Sequence, residues 1–342
     1  MYFEISFFTT RQLSHSEDIV DDVVLLIQPS GCGMEEAVNT LLQTGNKALV
    51  LFTKRDLLGE EIEVEELWAL PNVEKLLNHQ KPDGSWIYPN KKATLRSPTN
   101  YNQYQTYKTV AELVEFYGFT KKHEAIKKAA DFLFSFQTKE GEFRGMYGHQ
   151  YSPNYSASIT EFLIKAGYND DRIEKSLNWL LEMRQDDKGW AIPLRTKNRG
   201  IEALGAEKTI EPDKTKPFSH LVTGIVLRPF SLLARYREKV KHTGLQLADR
   251  IFTRDKYWDR IGVEYWTKFT YPYHWTDILS TLDTLTLLGI KSHPKITEIV
   301  RWFDQHRKNN GIYDVDVMAG AKHRDIKYWI TLHYLNILKR LS

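Results

Sequence analysis

The chain has 342 residues, of which 42% are hydrophobic and 13% aromatic, enough to build the core of one large domain or two ordinary ones. Its 47 lysines and arginines against 44 acidic residues give a formal net charge of +3 without a run of like charge, which argues against a nucleic-acid partner. Cys32 is the single cysteine, which excludes an intramolecular disulfide and a multi-cysteine metal site.

The beginning of the chain favours a cytoplasmic protein. Residues 1–10 lack a basic stretch and include Glu4, unlike a secretory signal peptide. The apolar run Val23–Ile27 is far too short to span a bilayer. We therefore expect a cytoplasmic location, with no transmembrane segment.

Helical periodicity follows an N-terminal arm, residues 1–33, that has no clear pattern. Apolar spacing predicts two short helices within Met34–Leu58 and a helix within Ile62–His79 that Pro71 interrupts or restarts. Five long aromatic-rich helices come next, alternating with more amphipathic ones, and they are predicted at Tyr101–Tyr117, Pro153–Ala166, Phe218–Arg237, Pro272–Leu288 and Arg324–Leu341. The long loop 191–216 is expected to be a lid or to be disordered.

One supersecondary unit recurs along most of the chain. In Lys128–Phe143 an apolar helix runs into Gln137, and a polar turn follows that Gly141 and an aromatic residue close. Looser copies end at Trp86, Trp190 and Tyr313, a spacing of about fifty residues, and Lys241–Trp258 is a degraded candidate for a fifth copy. Such units stack on their neighbours to bury their apolar faces.

The alternation of two helix classes predicts two concentric rings. Helices that are apolar on nearly all sides belong inside, and one-sided helices belong outside. The two helices of Met34–Leu58 would complete a circle of six hairpins. The sequence therefore predicts an all-α fold, an (α/α)6 toroid that forms a single domain over residues 34–342.

The repeat resembles the glutamine–tryptophan repeat of triterpene cyclases, with Lys128–Phe143 as the best copy. Gly141–Ser158 is similar to the glycine-rich turn before an inner helix of protein prenyltransferase β subunits, and His323–Tyr328 is similar to the entry of their final inner helix. The resemblance covers residues 70–342 and implies the α/α toroid that terpenoid cyclases and prenyltransferases share. It also implies an apolar, isoprenoid-like ligand in a central cavity.

The catalytic motifs of these families are not matched. No Asp-x-Asp-Asp sequence occurs, and in the nearest stretch, Asp314–Asp316, Val317 replaces the last acid. Tyr328 falls where the resemblance to prenyltransferases would place a zinc-binding histidine, and no cysteine lies near Pro272. Neither mechanism carries over to this chain, and we expect no metal and no other cofactor.

Candidate site residues lie where the inner helices begin. The unpaired N–H groups there would give one mouth of the cavity a positive partial charge that favours an anionic head group. His274 and Asp277 are three residues apart on a predicted helix and would form an acid–base pair on one face, with Asp316 as an alternative acid. The residues expected to bind substrate are Tyr104, Tyr155, His220, Tyr273 and Tyr328.

Each candidate also has a structural interpretation. His274 and Asp277 could form only a hydrogen bond near a helix start, and Asp316 could cap the element that follows it. His220 could be a packed histidine, and the tyrosines could be ordinary core residues. Three functions therefore stay open. The first is an isoprenoid-binding toroid, as a cyclase or transferase of non-standard mechanism. The second is a carbohydrate-active (α/α)6 enzyme with two carboxylates across a cleft. The third is a non-catalytic binding or scaffold protein, and a protein partner is left open.

Overall fold

The computed structural model describes residues 32–94, 96–200, 203–204, 206–258, 261–272, 274–318 and 324–342. The predicted N-terminal arm, residues 1–33, therefore lies almost entirely outside the described residues, as does Tyr273. Within the described ranges, no helix is both long enough and apolar enough to cross a membrane.

The fold is all-α, as predicted. The 13 α-helices of the described residues are α1 Cys32–Leu42, α2 Lys47–Thr53, α3 Pro71–Leu77, α4 Pro98–Tyr117, α5 Glu124–Phe134, α6 Pro153–Lys165, α7 Asp171–Glu182, α8 Pro193–Thr196, α9 His220–Leu232, α10 Ala234–Asp249, α11 Ile278–Leu287, α12 Pro294–Gln305 and α13 Ile326–Leu341. A π-helical turn, Lys54–Leu58, continues α2, and 3-10 turns cover Val64–Leu67 and Val263–Thr267. Two short strands, β1 Lys268–Phe269 and β2 Asp316–Val317, pair in parallel.

Six helices form a closed inner ring. In chain order α2, α4, α6, α9, α11 and α13 each contact the next, and α13 returns to contact both α1 and α2. The segment Met34–Leu58 thus completes the circle as the sequence predicts. Amphipathic helices such as α5, α7 and α10 pack outside on the inner ones, which gives the predicted toroid.

Two predicted helix boundaries are wrong. The single helix expected over Phe218–Arg237 is broken at Leu233, whose backbone is extended (φ −110°, ψ 108°), so that α10 begins at Ala234 rather than near Lys241. The helix expected from Pro272 begins at Ile278. Asp277 is the N-cap of that helix, α11, and its carboxylate accepts a hydrogen bond from the backbone N–H of Ser280 at 2.8 Å in a capping box.

The repeated turn ties each outer helix to the next hairpin. The side-chain amide of Gln80 donates to the carbonyl of Ala125 in α5, and that of Gln137 donates to the carbonyl of Arg172 in α7, both at 2.8 Å. In the third copy Arg184 replaces glutamine, and its guanidinium donates to the carbonyl of Lys239 in α10 at 3.0 Å. The contact is therefore kept although the residue type changes.

The aromatic residue that closes each turn is bound to the following inner helix. Its backbone N–H donates to a hydroxyl oxygen about 3 Å away in all four copies, and the pairs are Trp86–Thr106, Phe143–Ser156, Trp190–Thr223 and Tyr313–Thr331. Because the same bond recurs at every turn, the repeat acts as a structural joint between hairpins.

The fourth turn closes the ring against α1. Gly311 has a left-handed backbone (φ 77°), and a Cβ atom placed there would lie 2.4 Å from the backbone nitrogen of Ala37. Thr40 of α1 also donates its hydroxyl to the carbonyl of Asn310 at 2.8 Å. Only glycine fits both the backbone conformation and this close approach.

Candidate functional site

Along the toroid axis, the side chains of the inner helices α6 and α9 change from apolar or neutral to charged. On α6, Asn154, Glu161 and Lys165 recur at helical spacing over about 16 Å of axial rise. On α9, Ile225 and Arg228 follow the same order, from apolar to charged. Both helices therefore present apolar or neutral groups near their N-termini and charges further along.

Buried charges fill the middle of the axis. Arg228 donates to Glu161 at 2.8 Å, Lys165 lies 3.0 Å from the other carboxylate oxygen of Glu161, and Lys165 also pairs with Glu115 of α4. The side chains of Arg228 and Glu161 are only 4% and 1% exposed. We call Glu115, Glu161, Lys165 and Arg228 the axial ion network. Charges this deeply buried are tolerated because they are paired.

The axial ion network separates two pockets. Arg228 donates to the backbone carbonyl of Trp275, which lines a pocket at the N-terminal ends of the inner helices. Lys165 lines a pocket at their C-terminal ends. Among the described residues, one of these two pockets therefore lies on each side of the network.

The pocket at the C-terminal ends, which we call the polar pocket, has a volume of about 250 Å³. Asp283 of α11 pairs there with Arg340 of α13 and lies 3.5 Å from His333. Burial opposes the charged form of Asp283, but His333 and Arg340 hold the pKa of its carboxyl well below the usual range. Burial likewise opposes the charge of Lys165, yet Glu115 and Glu161 raise its pKa. These charges are paired with one another, and apolar side chains such as Leu232 and Leu332 line much of the rest of the pocket.

The pocket at the N-terminal ends, which we call the aromatic pocket, has a volume of about 380 Å³. Eight of the ten described residues that line it are aromatic or aliphatic, namely Tyr147, Trp258, Tyr265, Trp275, Ile192, Leu221, Val222 and Ile225. The other two are Asn154 and Arg195. A mostly apolar lining with a few polar groups is typical of small-molecule sites.

The loop after α7 forms one wall of the aromatic pocket. Ile192 and Arg195 reach the pocket from this loop, and the Arg195 guanidinium lies 4.0 Å from the centre of the Trp258 ring. The loop is anchored at its far end, because the side-chain amide of Gln185 donates to the carbonyls of Asp213 and Lys216. The described part of the loop thus packs against the aromatic pocket, and its role as a lid stays a prediction.

Four tyrosines pack edge to face beside the aromatic pocket. Ring centres lie 5.6 Å apart for Tyr104 and Tyr107, 6.1 Å for Tyr104 and Tyr155, and 5.1 Å for Tyr147 and Tyr155. Burial raises the pKa of Tyr107 and of Tyr147, so both stay neutral. Tyr104 and Tyr155, predicted to bind substrate, are therefore brought together, and Tyr147 links them to the pocket.

His274 faces this tyrosine cluster. Its Nδ1 atom lies 3.4 Å from the Tyr107 hydroxyl oxygen. Burial, together with the positive charges of Lys108 and Arg228, lowers the pKa of His274 to about 3, so the imidazole is neutral. At neutral pH it is suited to hydrogen bonding rather than to proton donation as a cation.

The expected helical pairing of His274 with Asp277 is wrong, because both residues precede α11. Asp277 is fully buried, and its carboxylate accepts hydrogen bonds from the backbone N–H groups of Ser280 and Thr270. Burial raises its pKa to about 6. The carboxylate thus caps a helix, and the catalytic roles assigned to His274 and Asp277 stay predictions.

The other predicted residues are dispersed. Asp316 is exposed on β2, and Tyr328 is half-buried in the first turn of α13. His220 is buried at the start of α9, 3.5 Å from Asp255 and 4.5 Å from the centre of the Trp266 ring, and burial lowers its pKa. The contacts of His220 are those of a packed histidine, and it is not among the described residues that line the aromatic pocket.

The residues predicted from the sequence leave out most of the aromatic pocket. Tyr147, Trp258 and Trp275 lie between regular helices, where apolar periodicity gives no signal. Asn154 directly follows the proline that begins α6. Its position at the entry of an inner helix is a sequence signal that points to this mouth. Within the described residues, no group of three or more His, Cys, Asp or Glu side chains could hold a metal ion.

Comparison with known proteins supports the toroid and leaves the ligand open. Residues 107–209 match the family described as squalene-hopene cyclase C-terminal domain, which confirms the terpenoid cyclase-like resemblance for that part of the chain. A search of curated proteins found no match. Among solved structures, "Crystal structure of a protein from Actinoplanes" aligns at 13% identity with a TM-score of 0.42, over 95% of this chain and 99% of that one.

Proposed function

We propose that this terpenoid cyclase-like toroid binds an apolar, isoprenoid-like ligand in the aromatic pocket. The observation that carries the proposal is the lining, in which aromatic and aliphatic side chains surround a volume of about 380 Å³. That volume lies within the range of small-molecule sites. Burial of apolar ligand surface against these side chains would drive binding.

The axial ion network limits how far a ligand in the aromatic pocket can extend along the toroid axis. Glu161 and Arg228 lie directly below the pocket wall formed by Trp275, so an apolar chain that extended further would have to displace paired buried charges. The ligand is therefore confined to the mouth, with its body between Trp258, Tyr265 and Trp275.

Binding is better supported than acid-initiated cyclisation. No carboxylate is among the described residues that line the aromatic pocket. Asp277 caps α11 and Asp316 is exposed on β2. Of the three predicted catalytic residues, His274 is the one next to the pocket, because it precedes Trp275 and contacts the tyrosine cluster. The same lining disfavours the carbohydrate alternative, which needs two carboxylates across an open cleft.

A second apolar site provides a built-in comparison. A groove of about 530 Å³ lies between α1, the π-helical turn and α13, and its lining includes Leu57, Leu58 and Leu335. We call it the apolar groove. A scaffold role would use this surface, because exposed apolar patches mark interaction sites.

Matched variants of the full chain separate the two sites. Trp258 and Leu58 are exposed to similar extents, 60% and 49%, and each lines one site. We expect Trp258→Ala to weaken farnesol binding, measured by isothermal titration, about tenfold because an aromatic contact is lost. Leu58→Ala should leave the affinity unchanged. The reverse order would assign the ligand to the apolar groove, and no farnesol binding to the wild-type protein would refute the proposal.

A further inference from the structure

We infer that the ligand of the aromatic pocket carries a hydroxyl group that hydrogen-bonds to Asn154, so that the site selects an apolar alcohol over the hydrocarbon with the same skeleton. This inference rests on the proposed function and narrows its ligand class. It comes from Asn154, the one side-chain amide among the described residues that line the pocket.

Asn154 presents a buried polar atom without a partner. The side chain is 6% exposed, and its amide nitrogen donates to the Tyr147 hydroxyl at 3.2 Å. Its Oδ1 atom is buried and has no hydrogen-bond partner among the described residues. Buried side-chain amides are normally satisfied, so an orphaned oxygen in a pocket wall points to a partner that the pocket receives from outside.

The position of Asn154 is fixed by the fold. It is the second residue of α6, after Pro153. Its amide is held against Tyr147, whose ring packs 5.1 Å from the ring of Tyr155 on the same helix. An acceptor held in this way is preorganised for one ligand group.

The surroundings select a hydroxyl group from the possible donors. A carboxylate or phosphate has no proton to offer an amide oxygen, and an ammonium group would meet the guanidinium of Arg195 in the same pocket. A hydroxyl is neutral and can donate its proton to the amide oxygen.

The preference for an alcohol arises because a hydrocarbon cannot hydrogen-bond to the Asn154 oxygen. In the free pocket the Asn154 oxygen has no partner among the described residues, and a bound hydrocarbon would leave it unpaired. An alcohol would supply the missing hydrogen bond. Leaving a buried carbonyl unpaired is penalised, and we expect the alcohol to bind roughly tenfold tighter.

The test compares farnesol with farnesene on the full chain by isothermal titration, in the wild type, in Asn154→Leu and in Asn336→Leu. Asn336 is a matched control because it is also on an inner helix but lines the polar pocket. We expect farnesol to bind the wild type and Asn336→Leu about tenfold more tightly than farnesene. Asn154→Leu should abolish that preference while still binding farnesene, which also shows that the variant is folded.

The possible failures are distinguishable. Equal affinities of the wild type for farnesol and farnesene, or a preference that survives in Asn154→Leu, would overturn the hydroxyl assignment and leave the apolar site standing. Absence of binding by both compounds would refute the proposed function itself, and the hydroxyl assignment with it.

Discussion

Substitution of Gly311 by alanine tests ring closure at a single contact. Gly311 lies in the fourth repeated turn, and an added Cβ atom would approach the backbone nitrogen of Ala37 in α1 to 2.4 Å. That nitrogen belongs to a helix and cannot rotate away. The turn and α1 must therefore separate, or the chain must strain to keep them together.

The chain supplies a control with almost the same backbone. Gly289 has φ 74°, against 77° for Gly311, but a Cβ atom there would meet nothing within 4 Å. For both variants, the left-handed conformation costs about 1–2 kcal/mol, offset in part by about 0.4–1 kcal/mol from the reduced freedom of the unfolded chain. For Gly311→Ala alone, overpacking adds about 1–3 kcal/mol.

The assay is urea unfolding of the wild type and of the two variants. We expect Gly289→Ala to lower the free energy of unfolding by about 0.5–1 kcal/mol and Gly311→Ala to lower it by about 2–4 kcal/mol. Equal losses in the two variants would mean that the fourth turn does not pack on α1, and closure of the ring at this point would be refuted.

Two further predictions concern charge and pH. Glu161→Gln should lower the free energy of unfolding by about 3–5 kcal/mol, because it leaves the buried Arg228 charge without this carboxylate. Glu124→Gln, which removes an exposed pair, should cost less than about 1 kcal/mol in the same chemical denaturation, and similar losses would contradict burial of the network. In the folded protein the pKa of His274 is about 3, below its ordinary value of 6.5. Between these values the unfolded chain binds a proton at this residue and the folded protein does not, so the free energy of unfolding decreases as the pH falls through that interval. The stability advantage of the wild type over His274→Gln should therefore shrink from pH 6.5 to pH 3 in unfolding titrations, and an advantage that stays level over this range would contradict burial of the neutral imidazole.

The ring could be predicted because its joints repeat. The spacing of glycine and an aromatic residue after each outer helix is visible in the sequence, and the hydrogen bonds of Gln80 and Gln137 show why it recurs. The substitution of Arg184 for glutamine did not hide the pattern, because a guanidinium reaches the same kind of carbonyl. Lys188 even takes a left-handed backbone (φ 72°) in that copy of the turn.

The helix start that matters most for the site was predicted wrongly for an identifiable reason. Pro272 suggested the first turn of a helix, where proline is favoured. Asp277 followed three residues later by Ser280 is the actual start, since their side chains and backbone groups satisfy each other. Because α11 begins after Asp277, His274 lies in the preceding loop, and the two residues do not share a helix face.

The buried charges of the axial ion network are visible in the sequence, although the spacing of apolar residues does not reveal them. Glu161 and Arg228 are charged residues within helices that are buried on nearly all sides, and such residues must find partners inside. Which two helices supply the partners depends on ring geometry, so the pairing could not be read from the chain. Trp258 lies outside any helix, next to Tyr257, and its place in the pocket depends on the tertiary fold.

Photoaffinity labelling tests the central claim most directly, namely that an apolar ligand occupies the aromatic pocket. A farnesol analogue that carries a diazirine would be irradiated with the intact protein, and the labelled peptides would be identified by mass spectrometry. The account predicts labels on peptides that contain Tyr147, Ile225 or Trp258, suppressed by excess farnesol. Labels confined to peptides of the apolar groove, around Leu58 and Leu335, would contradict it.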